Sequence, residues 1–256
     1  MSPAEFARMA ETAESHWWYR GLREAMLHAV RRYLLPSQSP VHVLDAGCGT
    51  GENLRALQQA LQPAYAGGFD ISPLALQYAA AKCPGADLYV SDLCAPAVHQ
   101  PALDLVLSCD VLSVPGIAQA LPGLQRLVTA LKPGGLLILN LPAFAWLRSR
   151  HDAAVAQTHR FCAREVRTLM DTLQLKLELL TYRVWTLFPA IVFYRLPSLL
   201  RKAAVAAGPS DVSPAHPLWN AAASMLLHCE NRAVDYGVRF PWGSSVFVVA
   251  RKAVCQ

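Results

Sequence analysis

VLDAGCGTGENL occupies Val43 to Leu54 of a 256-residue chain. Val41 to Ala46 is a short, mostly apolar run that reads as a buried strand entering a tight turn. Gly47, Gly49 and Gly51 then bring backbone close to a ligand with no Cβ in the way. Glu52 to Leu61 reads as a helix closed by Pro63, and the unpaired N–H groups of its first turn can receive an anion. Ala64 to Asp70 reads as a second strand. An acidic side chain at its end, about 20 residues past the turn, can take both hydroxyls of a ribose. A dinucleotide oxidoreductase would carry much the same turn, so the glycines alone leave the ligand open.

Outward from this unit the alternation continues. Pro73 to Lys82 reads as a helix, with Ser72 as N-cap and Pro73 at its first position. Ala86 to Val90 and Leu103 to Ser108 read as strands, Ile117 to Leu131 as a helix, and Lys132-Pro133-Gly134-Gly135 as a turn before a strand at Leu136 to Leu141. Strands that are apolar throughout, separated by helices, predict an α/β fold with a doubly wound, mostly parallel seven-stranded sheet covered on both faces. Later elements are a helix at Ala163 to Leu173, a strand at Leu175 to Tyr182, a helix at Leu218 to Val234 and a last strand at Val246 to Ala250. Residues 4–34 read as helix, broken near Ser15 or Gly21 and ended by the stretch 36–40. This divides the chain into a helical cap (1–36), a cofactor-binding core (37–182), an apolar helical insertion or lid (183–243) and the core's final strand (244–256).

Five short stretches carry a resemblance. DAGCGTG from Asp45, FDISP from Phe69, Ser91-Asp92-Leu93, DLVLSCDVL from Asp104 and LKPGGL from Leu131 resemble, in order, the motifs of class I S-adenosylmethionine-dependent methyltransferases, whose Rossmann-like fold this would be. The resemblance implies S-adenosyl-L-methionine as cofactor and S-adenosyl-L-homocysteine as product. It implies that Asp45 and the Gly47, Cys48, Gly49 and Gly51 backbone face the methionine part, and that Asp70 holds the ribose diol. Ile71 would pack on the adenine, with Ser91 beside it. Asp92 would accept from the adenine amino group near the Leu93 amide. Ser108, Cys109 and Asp110 would lie under the sulfonium. A non-catalytic relative that keeps the fold, acting as an interaction protein, and a nicotinamide-dependent oxidoreductase stay open as alternatives.

Two further segments resemble a small-molecule subset of that family. In ESHWWYRGLR, Tyr19, Arg20 and Arg23 are candidates for the methionine carboxylate. Two adjacent tryptophans, Trp17 and Trp18, cannot share one helix face. After the fifth strand, HDAAVAQTHRF resembles a histidine- and arginine-bearing acceptor loop. Gln157 stands there where a histidine is expected, and His159 where an arginine is expected. His151 and His159 are the candidate general bases, since imidazole titrates near neutral pH. The alternative for each is a histidine that holds the loop.

VWTLFPAIVFY, Val184 to Tyr194, is too short to span a bilayer, which takes about 20 residues. Three readings compete for 184–202: a lid over an apolar acceptor, a membrane interface, and a core or dimer surface. Glu230 and Arg232 beyond it read as a surface ion pair. The acceptor is expected to be a small, apolar or lipid-like molecule methylated on oxygen.

Composition narrows the rest. The chain is 54% hydrophobic and 16% charged, which fits a globular domain rather than disorder. Its net charge of +5 is spread without a long basic run, and no NPPY-type tetrapeptide follows the fourth strand, so nucleic acid is not an expected partner. Seven cysteines without CxxC spacing point away from a metal site and toward a reducing compartment. The polar start MSPAEFARMAE lacks the basic–apolar order of a signal peptide. A cytoplasmic protein, free or on the inner face of the membrane, is the expectation; oligomeric state is not legible.

Overall fold

A computed structural model describes residues 3–34, 40–200 and 216–254; for 150–151 and 196–200 it describes main chain only. The expected ending of the first helical segment at 36–39, most of the loop at 208–217, and Arg201-Lys202 lie outside these residues. In chain order the elements are α1 (Pro3–Thr12), α2 (Trp17–Tyr33), β1 (His42–Ala46), α3 (Glu52–Leu61), β2 (Tyr65–Asp70), α4 (Pro73–Lys82), β3 (Asp87–Val90), β4 (Leu103–Cys109), α5 (Ile117–Ala130) and β5 (Leu131–Pro142). Then come a 3₁₀ turn at Ala145–Leu147, α6 (Arg150–Ala154), α7 (Ala163–Thr172), β6 (Leu175–Arg183), α8 (Phe188–Leu200), α9 (Pro217–Asp235) and β7 (Ser245–Lys252).

The seven strands form one sheet in the order β3-β2-β1-β4-β5-β7-β6. Neighbours are parallel except β7, which runs antiparallel to both β5 and β6. Strand order reverses between β1 and β4, so a crevice opens at their carboxyl ends, where this class of sheet binds ligands. Alternate residues of each strand feed opposite cores. Val43, Leu105, Leu107 and Ile138 pack with Met26 and Val30 of α2 and with Leu54 and Leu57 of α3. Leu44, Val106, Leu137 and Leu139 pack with Leu124 and Leu127 of α5 and Val166 and Leu169 of α7. Burial on both faces is why these strands read as continuously apolar.

Local chemistry sets several boundaries. Ser72 Oγ accepts from the Ala75 amide at 3.3 Å, and Pro73 follows as the first residue of α4. The Lys132-Pro133-Gly134-Gly135 turn belongs to β5 itself. The pairing slips from Leu103↔Leu131 to Leu105↔Leu136, and this bulge absorbs the turn. In α5, a Cβ on Gly123 would lie 1.7 Å from the Leu93 carbonyl oxygen. Gly123→Ala is therefore expected to cost about 3 kcal/mol by overpacking. For a chain of this size that lowers Tm by roughly 6–12 °C. An unchanged Tm in calorimetry would show that α5 can back away from Leu93.

The first helical segment breaks at residues 13–16, not at Gly21. His16 caps α2 by accepting from the Trp18 amide at 3.3 Å, and Arg23 ties the break by donating to the Ala13 and Glu14 carbonyls at 2.6 and 2.8 Å. Gly21 stays helical because Leu227 of α9 lies where its side chain would be, 2.5 Å from an added Cβ. Cap and insertion thus form one layer. Asn220 accepts from the Trp17 amide at 2.8 Å, and Asn231 donates to Gly21 O at 3.0 Å. Trp17 and Trp18 both reach the cluster of Val184, Leu187, Ala223 and Leu227, and Trp18 also packs on the core beneath α2.

Candidate active site

The glycine turn is tied to β2 by the Gly47 and Cys48 amides, which donate to Phe69 O at 2.8 and 2.9 Å. Gly47 has φ +83°, and a Cβ there would sit 2.2 Å from a Val111 methyl, so no other residue fits without displacing the loop after β4. Asp70, at the end of β2, is held by two amides: Gly49 donates to its Oδ2 at 3.0 Å and Ser72 to its Oδ1 at 2.9 Å. Burial raises its pKa, and those amides pull it partly back. Asp45 is 1% exposed, and neither of its oxygens has a hydrogen-bond partner. Burial, and then the charge of Asp70, push Asp45 up to about 8. A buried carboxyl without a donor is costly unless something else supplies one.

The remaining expected cofactor residues line the same crevice edge. Ile71 is 68% exposed directly after Asp70. Ser91 accepts from Ala97 N through its hydroxyl at 2.9 Å, Asp92 is exposed and accepts from Cys94 N at 2.9 Å, and Leu93 is buried. Ser108 Oγ donates to Ala46 O at 2.9 Å, locking β4 to β1 where they diverge. Burial pushes the thiols of Cys48 and Cys109 well up, so both stay protonated.

From above, the cap closes on this crevice. Met9 of α1 comes within 3.1 Å of where a Gly49 Cβ would be. Tyr19 stacks edge-on against Trp18, with ring centres 5.1 Å apart. Burial raises its hydroxyl pKa first, and then the charges of Asp110 and Glu52. Arg20 is exposed, whereas Arg23 is engaged with the α1–α2 break already described.

On the acceptor side the two histidine candidates sit in different places. His159 Nε2 lies 3.2 Å from Glu165 Oε1, and Glu165 also accepts from the Cys162 amide at the start of α7. His159 therefore holds its loop onto α7. His151 lies on α6, with its side chain outside the described residues. The same loop contains a buried pair that sequence reasoning missed. Arg160 grips Asp152 through Nε at 3.0 Å and Nη2 at 2.6 Å, and donates to Ala143 O at 2.9 Å.

A second group crosses the strand ends, joining the expected Asp110 to two residues that sequence reasoning missed. Asn140 Nδ2 donates to both Asp110 oxygens at 3.0 Å, and Asn140 Oδ1 accepts from Arg183 Nη1 at 3.4 Å. Burial pushes Asp110 up to about 7 against the pull of Asn140, Arg183 and Arg160. The signal was present: Asn140 is the lone polar residue of LLILNLP, and Arg183 is the one charge in LLTYRVW.

The apolar run is anchored at its start and opens outward along α8. Val184 and Leu187 are buried and Trp185 stacks on Phe240 at 5.1 Å, whereas Thr186, Pro189, Ala190, Phe193 and Tyr194 are exposed. Phe188 joins Phe144, Trp146 and Tyr182 in an aromatic cluster at the ends of β5 and β6. Glu230 is buried rather than paired on the surface: it accepts from the Trp185 and Thr186 amides at 3.1 and 2.8 Å. No helix among the described residues is long and apolar enough to cross a membrane.

Comparison with known proteins agrees with this geometry. A family described as a methyltransferase domain matches residues 43–135. The biotin biosynthesis bifunctional protein BioCD of Bordetella avium is 31% identical over 65% of this chain and 35% of its own length. The malonyl-[acyl-carrier protein] O-methyltransferase of Dechloromonas aromatica is 34% identical over 49% of this chain and 46% of its own. The chain thus spans less than half the length of these relatives. Among solved structures, the partner chain of the Haloferax volcanii Trm112 methyltransferase activator superposes with a TM-score of 0.60 at 18% identity, covering 99% of this chain and 96% of that one.

Proposed function

From a chain that carries a methyltransferase domain and the fold of class I S-adenosylmethionine-dependent methyltransferases, we propose an enzyme that moves the methyl group of S-adenosyl-L-methionine to an oxygen of a small apolar acceptor, releasing S-adenosyl-L-homocysteine. The carrying observation is Asp45, a buried carboxyl with two unpartnered oxygens placed just before the glycine turn. A cationic ammonium group is the chemistry that such a carboxyl accepts, and the methionine part of the cofactor has one. The bound cofactor supplies a methyl group on a cationic sulfur, so the protein's task is proximity and alignment.

Asp45 and the backbone of Gly47, Cys48, Gly49 and Gly51 face the methionine part. Asp70 takes the ribose diol with the oxygen capacity its two amides leave. Ile71 and Leu93 flank the adenine, with Ser91 and Asp92 at its edge. Ser108, Cys109 and Asp110 floor the reacting centre. Tyr19 and Arg20 close it from the cap, Arg20 rather than Arg23 because the latter's guanidinium is engaged with two carbonyls. His151 is the candidate to take a hydroxyl proton. The cluster of Phe144, Trp146, Tyr182 and Phe188 offers an apolar acceptor its surface. Oxygen as the target is supported by the relative named as an O-methyltransferase.

Two measurements test this. Calorimetry should detect S-adenosyl-L-homocysteine binding that weakens about tenfold or more in Asp70→Ala, as expected when a buried hydrogen-bonding carboxylate is removed. Incubation with methyl-labelled cofactor and a cell extract should move label into organic-soluble material. Binding of NADH in place of S-adenosyl-L-homocysteine would replace the reading with an oxidoreductase. Cofactor binding with no label transfer would leave an interaction protein.

A further inference from the structure

We propose that the outward face of α9 docks on a surface of anionic phospholipid. The helix buries Ala223, Leu227, Glu230 and Asn231 against the cap and the apolar run. The opposite face carries Leu218, Ala222, Met225, Cys229 and Arg232, spaced four and three residues apart, with Tyr236 just past the end in the same line. Leu218 is 77% exposed, Met225 63% and Tyr236 80%, and Trp219 and Leu226 flank the stripe. A helix that is apolar on the side facing water has a partner still to meet.

Charge selects that partner. The two acidic residues of α9 turn away from the stripe: Glu230 accepts from the Trp185 and Thr186 amides, and Asp235 lies 2.6 Å from His28 Nδ1. The one charged side chain in the stripe is a cation, Arg232, 5.8 Å over the Tyr236 ring; Arg239 follows past the helix end, exposed, with Nη1 donating to Val234 O and Val238 O at 3.2 and 2.9 Å. A second copy of the chain would set Arg232 against Leu218 or against its own counterpart, with no carboxylate to meet it. Lipid phosphates meet it, and the acyl boundary takes Leu218, Met225 and Trp219. Trp219 and Tyr236 are the side chains that favour such a boundary. The helix, about 28 Å long, would lie in the plane of the surface. The proposed lipid contact thereby centres on α9 rather than on 184–194.

On the acceptor side, α8 reaches the 3₁₀ turn through Arg195, which donates to Leu147 O at 2.7 Å. The purpose of the surface, delivery of an apolar acceptor, rests on the proposed function; its existence does not.

Sedimentation of the full chain with phosphatidylcholine vesicles, with and without phosphatidylglycerol, tests the proposal. The wild type should pellet with the phosphatidylglycerol vesicles. Leu218→Glu with Met225→Glu should weaken this about tenfold or more. Arg232→Gln should weaken it less and reduce its salt dependence. S-adenosyl-L-homocysteine binding should be unchanged in both variants, which also reports that they fold. The proposal is overturned if the wild type stays in the supernatant at low salt with both vesicles. It is equally overturned if the double variant binds like the wild type, or if the wild type is a dimer that the double variant dissolves. Failure with cofactor binding intact removes the docking surface alone; absence of cofactor binding in the wild type removes the proposed function instead.

Discussion

Arg160→Ala is expected to lower stability by about 4 kcal/mol, because it strands a buried carboxylate. Asp152 is almost fully buried and receives two bonds from the guanidinium, with the Ser149 amide, at 2.7 Å, as the one further donor among the described residues. The same guanidinium donates to Ala143 O, so its loss also removes one of the ties between the loop and the end of β5. Thermal unfolding should show Tm falling by roughly 8–16 °C. Replacing both partners with apolar residues, Asp152→Leu with Arg160→Met, should restore much of this, since a buried pair contributes little beyond its own desolvation. A double variant as unstable as Arg160→Ala would mean that the Ala143 contact carries the loss.

Asp45→Asn should move stability and cofactor affinity in opposite directions. The folded chain holds Asp45 near 8 and Asp110 near 7, both above the ordinary value of 3.8. Below about pH 4 both carboxyls are protonated whether the chain is folded or not, and their contribution to stability is complete. As pH rises, the unfolded chain ionises first. The folded state therefore loses stability from about pH 4 until the folded groups themselves ionise near 7 to 8. Without cofactor, Tm should fall across that window. Asp45→Asn should flatten the fall and be about 3 kcal/mol more stable at pH 8, while binding S-adenosyl-L-homocysteine at least about tenfold more weakly. Equal pH slopes in the two proteins would show that Asp45 ionises freely when folded.

What could be read from the amino-acid order was what local rules decide. Ser72-Pro73 starts a helix wherever it stands, and VLDAGCGTG makes a strand and a turn from neighbours alone. The core strands are apolar on both faces, so their period could not mislead. The cap's union with the insertion was illegible, because Trp17 and Asn220 lie some 200 residues apart; helical periodicity says which face is apolar, not which helix covers it. Gly21 illustrates this: glycine looked like a break, but a leucine from α9 occupies the space. Residue type left His159 open as a base or as a loop-holding histidine, and its partner Glu165 is one that only the geometry of the α7 start reveals. Asn140 and Arg183 were visible as a lone polar residue and a lone charge in apolar runs, a signal that marks strand ends facing a site.

The position of β7 governs the order in which the molecule can be completed. It follows the six other strands of this sheet in chain order, yet it lies between β5 and β6 and bonds to both. Until it is synthesised, two apolar strands expose unpaired edges while the whole insertion is still being made. A nascent chain therefore holds an unfinished sheet while 184–244 is made, the interval in which aggregation competes with folding. A stop codon anywhere before Ser245 would remove a central strand rather than a rim, and the product should be insoluble rather than merely inactive.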